Sequence, residues 1–157
     1  MTSLNKLPRT VNMIEIAAYR DDIHRAEVID LWARVFAYTA PHSAPSLAID
    51  KMLEVPGNFF FVALAGGEVV GTILAGYDGH RGWLYSVAVK PLHRSQGIGA
   101  ALVRRAEEAL IARGCLKINL QILGGNDGVT GFYESLGYVV EPRISMGKRI
   151  AANVPKA

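Results

Sequence analysis

The chain has 157 residues, 50% of them hydrophobic, and 17 basic against 14 acidic side chains give a formal charge of +3. That length suits one domain with a sizeable core and is short for two, and the apolar content excludes a disordered chain. The basic residues form no long run, so a nucleic-acid partner is not favoured, and no apolar stretch approaches the ~18 residues of a membrane span.

Residues 1–10 read as a flexible polar extension without the apolar segment of a signal peptide, 11–152 as a single domain, and 153–157 as a tail. The lone Cys115 has no partner for an intramolecular disulfide and reads as a buried structural thiol in a reducing compartment. A soluble cytoplasmic protein is expected.

Residues 13–18 have the character of a first strand. Asp21 and Asp22 then offer capping oxygens to a helix whose Val28, Leu31, Trp32, Val35 and Phe36 share one face. Pro41 and Pro45 bracket a loop, a short helix covers 47–53, and Pro56-Gly57 ends it. Strands follow over 58–65, 68–77 and 81–89, joined by Gly66-Gly67 and by a turn carrying Asp78-Gly79, which makes an antiparallel meander.

The longest helix spans 97–113, with Ile98, Leu102, Ala106, Ala109 and Leu110 on one side and Gly114 at its end. A strand over 117–122 and a loop, Gly124-Gly125-Asn126-Asp127, lead to a helix carrying Val129, Phe132, Tyr133 and Leu136 inward. Two last strands, 138–141 and 144–150, are expected on either side of Pro142. They offer edges for exchange or pairing between subunits, which leaves a homodimer open. The mixture of elements implies a mixed sheet covered by helices.

The junction of the third meander strand with the long helix carries the most chemistry. Val87-Ala88-Val89-Lys90-Pro91 runs through a basic loop to Arg94-Ser95-Gln96-Gly97-Ile98-Gly99-Ala100, where the helix starts at once with no side-chain cap. The first N–H groups of a helix lack internal partners and lie at its positive end. Glycines let an anion approach that backbone, so the run reads as a phosphate cradle. A P-loop would need Gly-Lys-Ser/Thr, which is absent. A dinucleotide fingerprint would need a third glycine and an acidic residue about 20 positions on, where Asn119, Leu120 and Gln121 stand. The bland alternative is a glycine turn before an ordinary helix.

Arg94 to Gly99 resembles the Gln/Arg-x-x-Gly-x-Gly/Ala signature of the GCN5-related N-acetyltransferase (GNAT) family. Asn126 followed by Phe132-Tyr133 and Leu136-Gly137-Tyr138 resembles its Asn…Tyr…Leu-Gly-Phe/Tyr segment, and the element order also matches, over residues 13–150. The segments 76–82 and 110–115 are similar to a bacterial YpeA-type subgroup.

The resemblance implies an α/β (α+β) GNAT fold with a mixed, mostly antiparallel sheet of six to seven strands and about four helices. It implies acetyl-CoA as co-substrate, with no metal, in an opening between two splayed strands. There Val87, Ala88 and Val89 would lie along the pantetheine arm, Val87 and Val89 pairing with it through their backbone. The amides of Ser95, Gln96, Gly97, Ile98, Gly99 and Ala100 would hold the pyrophosphate, with Arg94 adding charge. Asn126 matches a cofactor-bonding position, its alternative being a helix cap. Tyr133 matches the tyrosine beside the acetyl-CoA sulfur, its alternative being core packing. A phenol of pKa about 10 can protonate a departing thiolate, and the Val87 N–H would meet charge on the acetyl oxygen.

Some relatives place a catalytic glutamate where Gln121 stands, and no other base is singled out from Asp78, His80 and Glu134. The acceptor, a small-molecule or peptide amine, is expected across the sheet near Tyr38 and His42, with Trp32 and Phe36 as core. Direct acetyl transfer to a primary amine in a ternary complex is the leading reading. A non-catalytic acyl-CoA-binding regulatory module of the same fold is the alternative.

Overall fold

The computed structural model describes residues 13–36 and 43–150. The expected N-terminal extension, the tail beyond residue 150, and Tyr38 and His42 lie outside the described residues.

The elements run β1 (Ile14–Ala18), α1 (Asp21–Val35), α2 (Pro45–Glu54), β2 (Phe59–Ala65), β3 (Glu68–Tyr77), β4 (Gly82–Val89), α3 (Ile98–Ala112), β5 (Ile118–Leu120) and α4 (Asp127–Ser135). One sheet has the order β1-β2-β3-β4-β5, antiparallel from β1 to β4 and parallel between β4 and β5. The parallel step needs a crossover, and α3 supplies it.

The sheet is apolar on both faces because helices cover both. Along β2, Phe60 and Val62 face α1 and α2, whereas Phe61, Ala63 and Ala65 face α3 and α4. This is the period-two alternation of a strand. Val28, Leu31 and Trp32 of α1 and Ile49 of α2 close one core; Ile98, Leu102, Val103, Ala106 and Leu110 of α3, with Tyr133 of α4, close the other. Cys115 is buried, and its thiol donates to the Lys117 carbonyl at 3.2 Å. Among the described residues no helix is long and apolar enough to cross a membrane.

Two expectations change. Asp21 and Asp22 do not cap α1: the cap residue is Arg20, whose backbone N–H donates to Nδ1 of the buried His24 at 2.9 Å, and Asp21 instead takes Arg25 and Tyr19. The described sheet has five strands rather than six or seven, because residues 138–150 are not in it. Ile144 and Met146 alternate as strand residues do, yet they are 91% and 92% exposed. β5 is only three residues long and offers few backbone partners, and Pro142 has no N–H to give.

Candidate active site

The site begins as a fork in the sheet. β4 pairs with β5 only through Gly82, Trp83 and Leu84, opposite Ile118, Asn119 and Leu120. Beyond them β4 continues along β3 alone. The parting coincides with a bulge: Leu74 pairs with Tyr85 and Thr72 with Ala88, so Ser86 and Val87 together face Ile73. An extra residue bends a strand and disrupts its ladder. Ser86 takes up the distortion at φ 50, a left-handed value unusual for a residue with a side chain. Its carbonyl accepts from the Thr72 hydroxyl at 2.9 Å, and that hydroxyl accepts from the Trp32 indole at 2.8 Å.

Past the bulge, the Lys90 N–H donates back to the Val70 carbonyl at 2.8 Å. Backbone groups alternate sides along a strand, so those of Val89 and Val87 face the open edge. Ala88 turns the other way: it sits opposite Thr72, and its side chain is buried in the core beneath α1. Arg94 reaches back, its Nε donating to the Val89 carbonyl at 3.3 Å.

The chain then turns into α3 through Ser95 at φ 62 and Gly97 at φ 79. Gly97 is the cap residue and makes no side-chain bond, so the first helical bond is Ala101 N–H to the Gly97 carbonyl at 3.0 Å. The N–H groups of Ile98, Gly99 and Ala100 precede that bond and point out of the helix start. The two glycines serve different ends. Gly97 is required by its left-handed φ, for a Cβ there would meet nothing within 4 Å. Gly99 serves a close approach, for its Cβ would stand 3.2 Å from the Phe132 ring, tighter than an ordinary contact. It lets the start of α3 touch α4.

That contact brings α4 to the fork. Tyr133 is 7% exposed and belongs to the cluster against which Val87 and Val89 pack. Its ring meets Phe132 and Tyr138 edge-on at centroid distances of 5.0 and 5.7 Å. Among the described residues its hydroxyl has no hydrogen-bond partner. Burial pushes the phenol up to about 12, so it stays protonated at neutral pH. Asn126 holds the cap position of α4 but makes no capping side-chain bond, which leaves its amide available. Both readings of Tyr133 are compatible with its place, since a core ring here carries an unspent hydroxyl.

The candidate bases are scattered. The Gln121 amide donates to the Ser145 hydroxyl at 2.6 Å. Asp78 accepts from the backbone N–H groups of Arg81 and His80, which hold its carboxyl below the usual range. That turn lies at the paired end of β4, away from the fork. Glu134 is exposed.

On the opposite face, Trp32, Phe36, Ser43, Ala48 and Ser86 line a pocket of about 260 Å³ between α1, α2 and the bulge. Trp32, read from sequence as core, is both core and pocket wall. A larger groove, about 1230 Å³, lies beyond β5 towards residues 138–146; it reaches Gln121, Asn126 and Tyr133 but not the free edge of β4.

The helix-covered, forked sheet has the fold of known acetyltransferases. The structure of AAC(6')-Iy in complex with a bisubstrate analog, CoA-S-monomethyl-acetylneamine, overlays with a TM-score of 0.74 at 17% identity, covering 88% of this chain and 99% of that one. Acetyltransferase SG1711 of Sodalis glossinidius is 44% identical over 138 residues, 87% of this chain and 96% of that protein. Acetyltransferase ECA0875 of Pectobacterium atrosepticum is 43% identical over 137 residues, with 87% and 96% covered. A profile of the acetyltransferase (GNAT) family matches residues 25–138. The chain belongs to the GNAT family of acetyltransferases.

Proposed function

We propose that this chain transfers the acetyl group of acetyl-CoA to a primary amine by direct attack within a ternary complex. The observation that carries the reading is the fork: a free edge of β4 leads straight into an uncapped helix start, with the Tyr133 side chain in the apolar cluster that packs beside it. An amide-bearing pantetheine arm suits the edge groups of Val87 and Val89, as an added strand would, with Arg94 giving up the Val89 carbonyl it bonds here. The N–H groups from Ser95 to Ala100 suit the pyrophosphate, aided by the helix dipole and the charge of Arg94. The free amide of Asn126 is a further contact.

In the transfer, the amine lone pair forms the C–N bond and the carbonyl π electrons move to oxygen. The Val87 N–H stabilises that oxygen. Collapse breaks the C–S bond, and Tyr133 gives its proton to the leaving thiolate. The proton released by the amine passes to water and restores the phenol. The amine enters from the pocket lined by Trp32, Phe36 and Ser86.

One observation favours the alternative, a non-catalytic acyl-CoA-binding module: the amide of Gln121 cannot act as a base, and the Asp78 turn is remote. Purified protein mixed with acetyl-CoA and a panel of amines separates the two. Free thiol released only when amine is present supports transfer. Binding of CoA without amine-dependent thiol release supports the module.

A further inference from the structure

We propose that Thr72 is a positioning residue whose hydroxyl aims the Val87 N–H at the acetyl carbonyl, an inference that rests on the donor-site reading above. Thr72 is fully buried in the middle of β3, one of the few polar side chains in the described core. Its hydroxyl is used twice, at 2.8 Å from the Trp32 indole and 2.9 Å from the Ser86 carbonyl. The indole N–H can only donate, so the single hydroxyl proton of Thr72 is directed to Ser86.

That bond fixes more than a carbonyl. The Ser86 C=O and the Val87 N–H are opposite ends of one planar trans peptide and point in opposite directions. Drawing the carbonyl towards β3 turns the N–H away from β3, to the open side of the fork. The bulge supplies the extra residue, and Ser86 at φ 50 supplies the rotation. The Thr72 hydroxyl selects this orientation of the peptide plane over others that a bulged backbone could take.

The same chain of bonds reaches the second site. Trp32 and Ser86 both line the pocket on the α1 face. An amine bound there would rest against the groups that orient the donor carbonyl, so the bulge is the partition between the two substrates.

The test compares wild type with Thr72→Val, which keeps the shape but cannot donate, and Thr72→Ser, which keeps the hydroxyl. Three quantities are read: acetyl-CoA affinity by calorimetry, kcat and KM with an amine found active in the panel, and the carbonyl stretch of bound acetyl-CoA labelled at that carbonyl. The stretch needs no acceptor and reports hydrogen bonding to the carbonyl directly. In Thr72→Val we expect kcat to fall about 100-fold, the low end of the range for losing or misplacing one such donor. Affinity should hold, and the stretch should move back towards its value in solution. Thr72→Ser should rescue both.

A Thr72→Val protein with wild-type kcat and an unmoved stretch overturns the inference. So does a Thr72→Ser protein as impaired as Thr72→Val, because the methyl group rather than the hydroxyl would then matter. A wild-type protein whose bound acetyl-CoA shows no lowered stretch instead overturns the assignment of the Val87 amide, and the inference with it.

Discussion

Replacing Tyr133 by phenylalanine separates chemistry from packing. The ring is 7% exposed and wedged edge-on between Phe132 and Tyr138, and phenylalanine preserves those contacts. The hydroxyl has no partner among the described residues, so removing it breaks no hydrogen bond of the fold. Removing it should therefore leave the melting temperature unchanged or raise it. Loss of a general acid typically costs about 10²- to 10⁴-fold in rate, or about 3–5 kcal/mol of barrier. We expect kcat to fall by that factor while the Kd for acetyl-CoA stays constant. The assay is thiol release at saturating donor, with calorimetry for binding and a thermal melt for the fold. A leaving-group dependence should accompany the loss, with thioesters of more acidic thiols less affected. Wild-type kcat in Tyr133→Phe would falsify the acid role and leave Tyr133 a core residue.

Three further outcomes follow from the geometry. Gly97→Val should weaken CoA binding at least tenfold and Gly97→Ala less, because a side chain at φ 79 strains the turn by about 1–2 kcal/mol and the branched one also crowds the cradle; equal Kd values in calorimetry would remove the turn from the donor site. Arg94→Ala should lower CoA affinity by about tenfold, the worth of one charge-assisted contact, and flatten its salt dependence; an affinity equally salt-sensitive without Arg94 would place the charge elsewhere. Burial makes Tyr133 hold its proton more tightly in the folded chain, at about 12, than an ordinary phenol does at about 10. Its titration thus costs the fold nothing below pH 10 and lowers stability as pH rises towards 12, by about 1.4 kcal/mol at pH ~11. Urea unfolding across that range should show a steeper decline for wild type than for Tyr133→Phe, and parallel curves would contradict the raised value.

The sequence made the scaffold legible because each element carried its own period. β3 was read at the bounds it has, and the Gly97 turn announced its uncapped helix. The bulge was not read. Tyr85-Ser86-Val87-Ala88-Val89 looks like an ordinary strand, and no glycine marks the left-handed position. The signal was elsewhere, in Thr72, a polar residue amid the apolar run of β3, because a buried hydroxyl implies partners. Trp32 was read by helical face alone, which reports burial but not where an indole N–H points. The two last strands, expected over 138–141 and 144–150 about Pro142, are not in the described sheet; strand-like composition shows that a segment can pair, not that a partner lies within reach. That glutamine cannot act as a base is legible at Gln121 from its chemistry alone, while its bond to Ser145 depends on a contact 24 residues away in sequence.

The free edge of β4 has a consequence for solution behaviour. A row of unpaired backbone groups on a sheet edge is a template for any passing chain, and proteins blunt such edges with bulges and charge. Here the bulge at Ser86 twists the edge, and Lys90 and Arg94 stand at its end, Lys90 paired with Glu68 and Arg94 bonded to the Val89 carbonyl. A bound cosubstrate lying along Val87 and Val89 would complete that protection. On the proposed binding mode the ligand-free protein would be the form most exposed to edge-to-edge association, and the donor would shield the sheet as well as react.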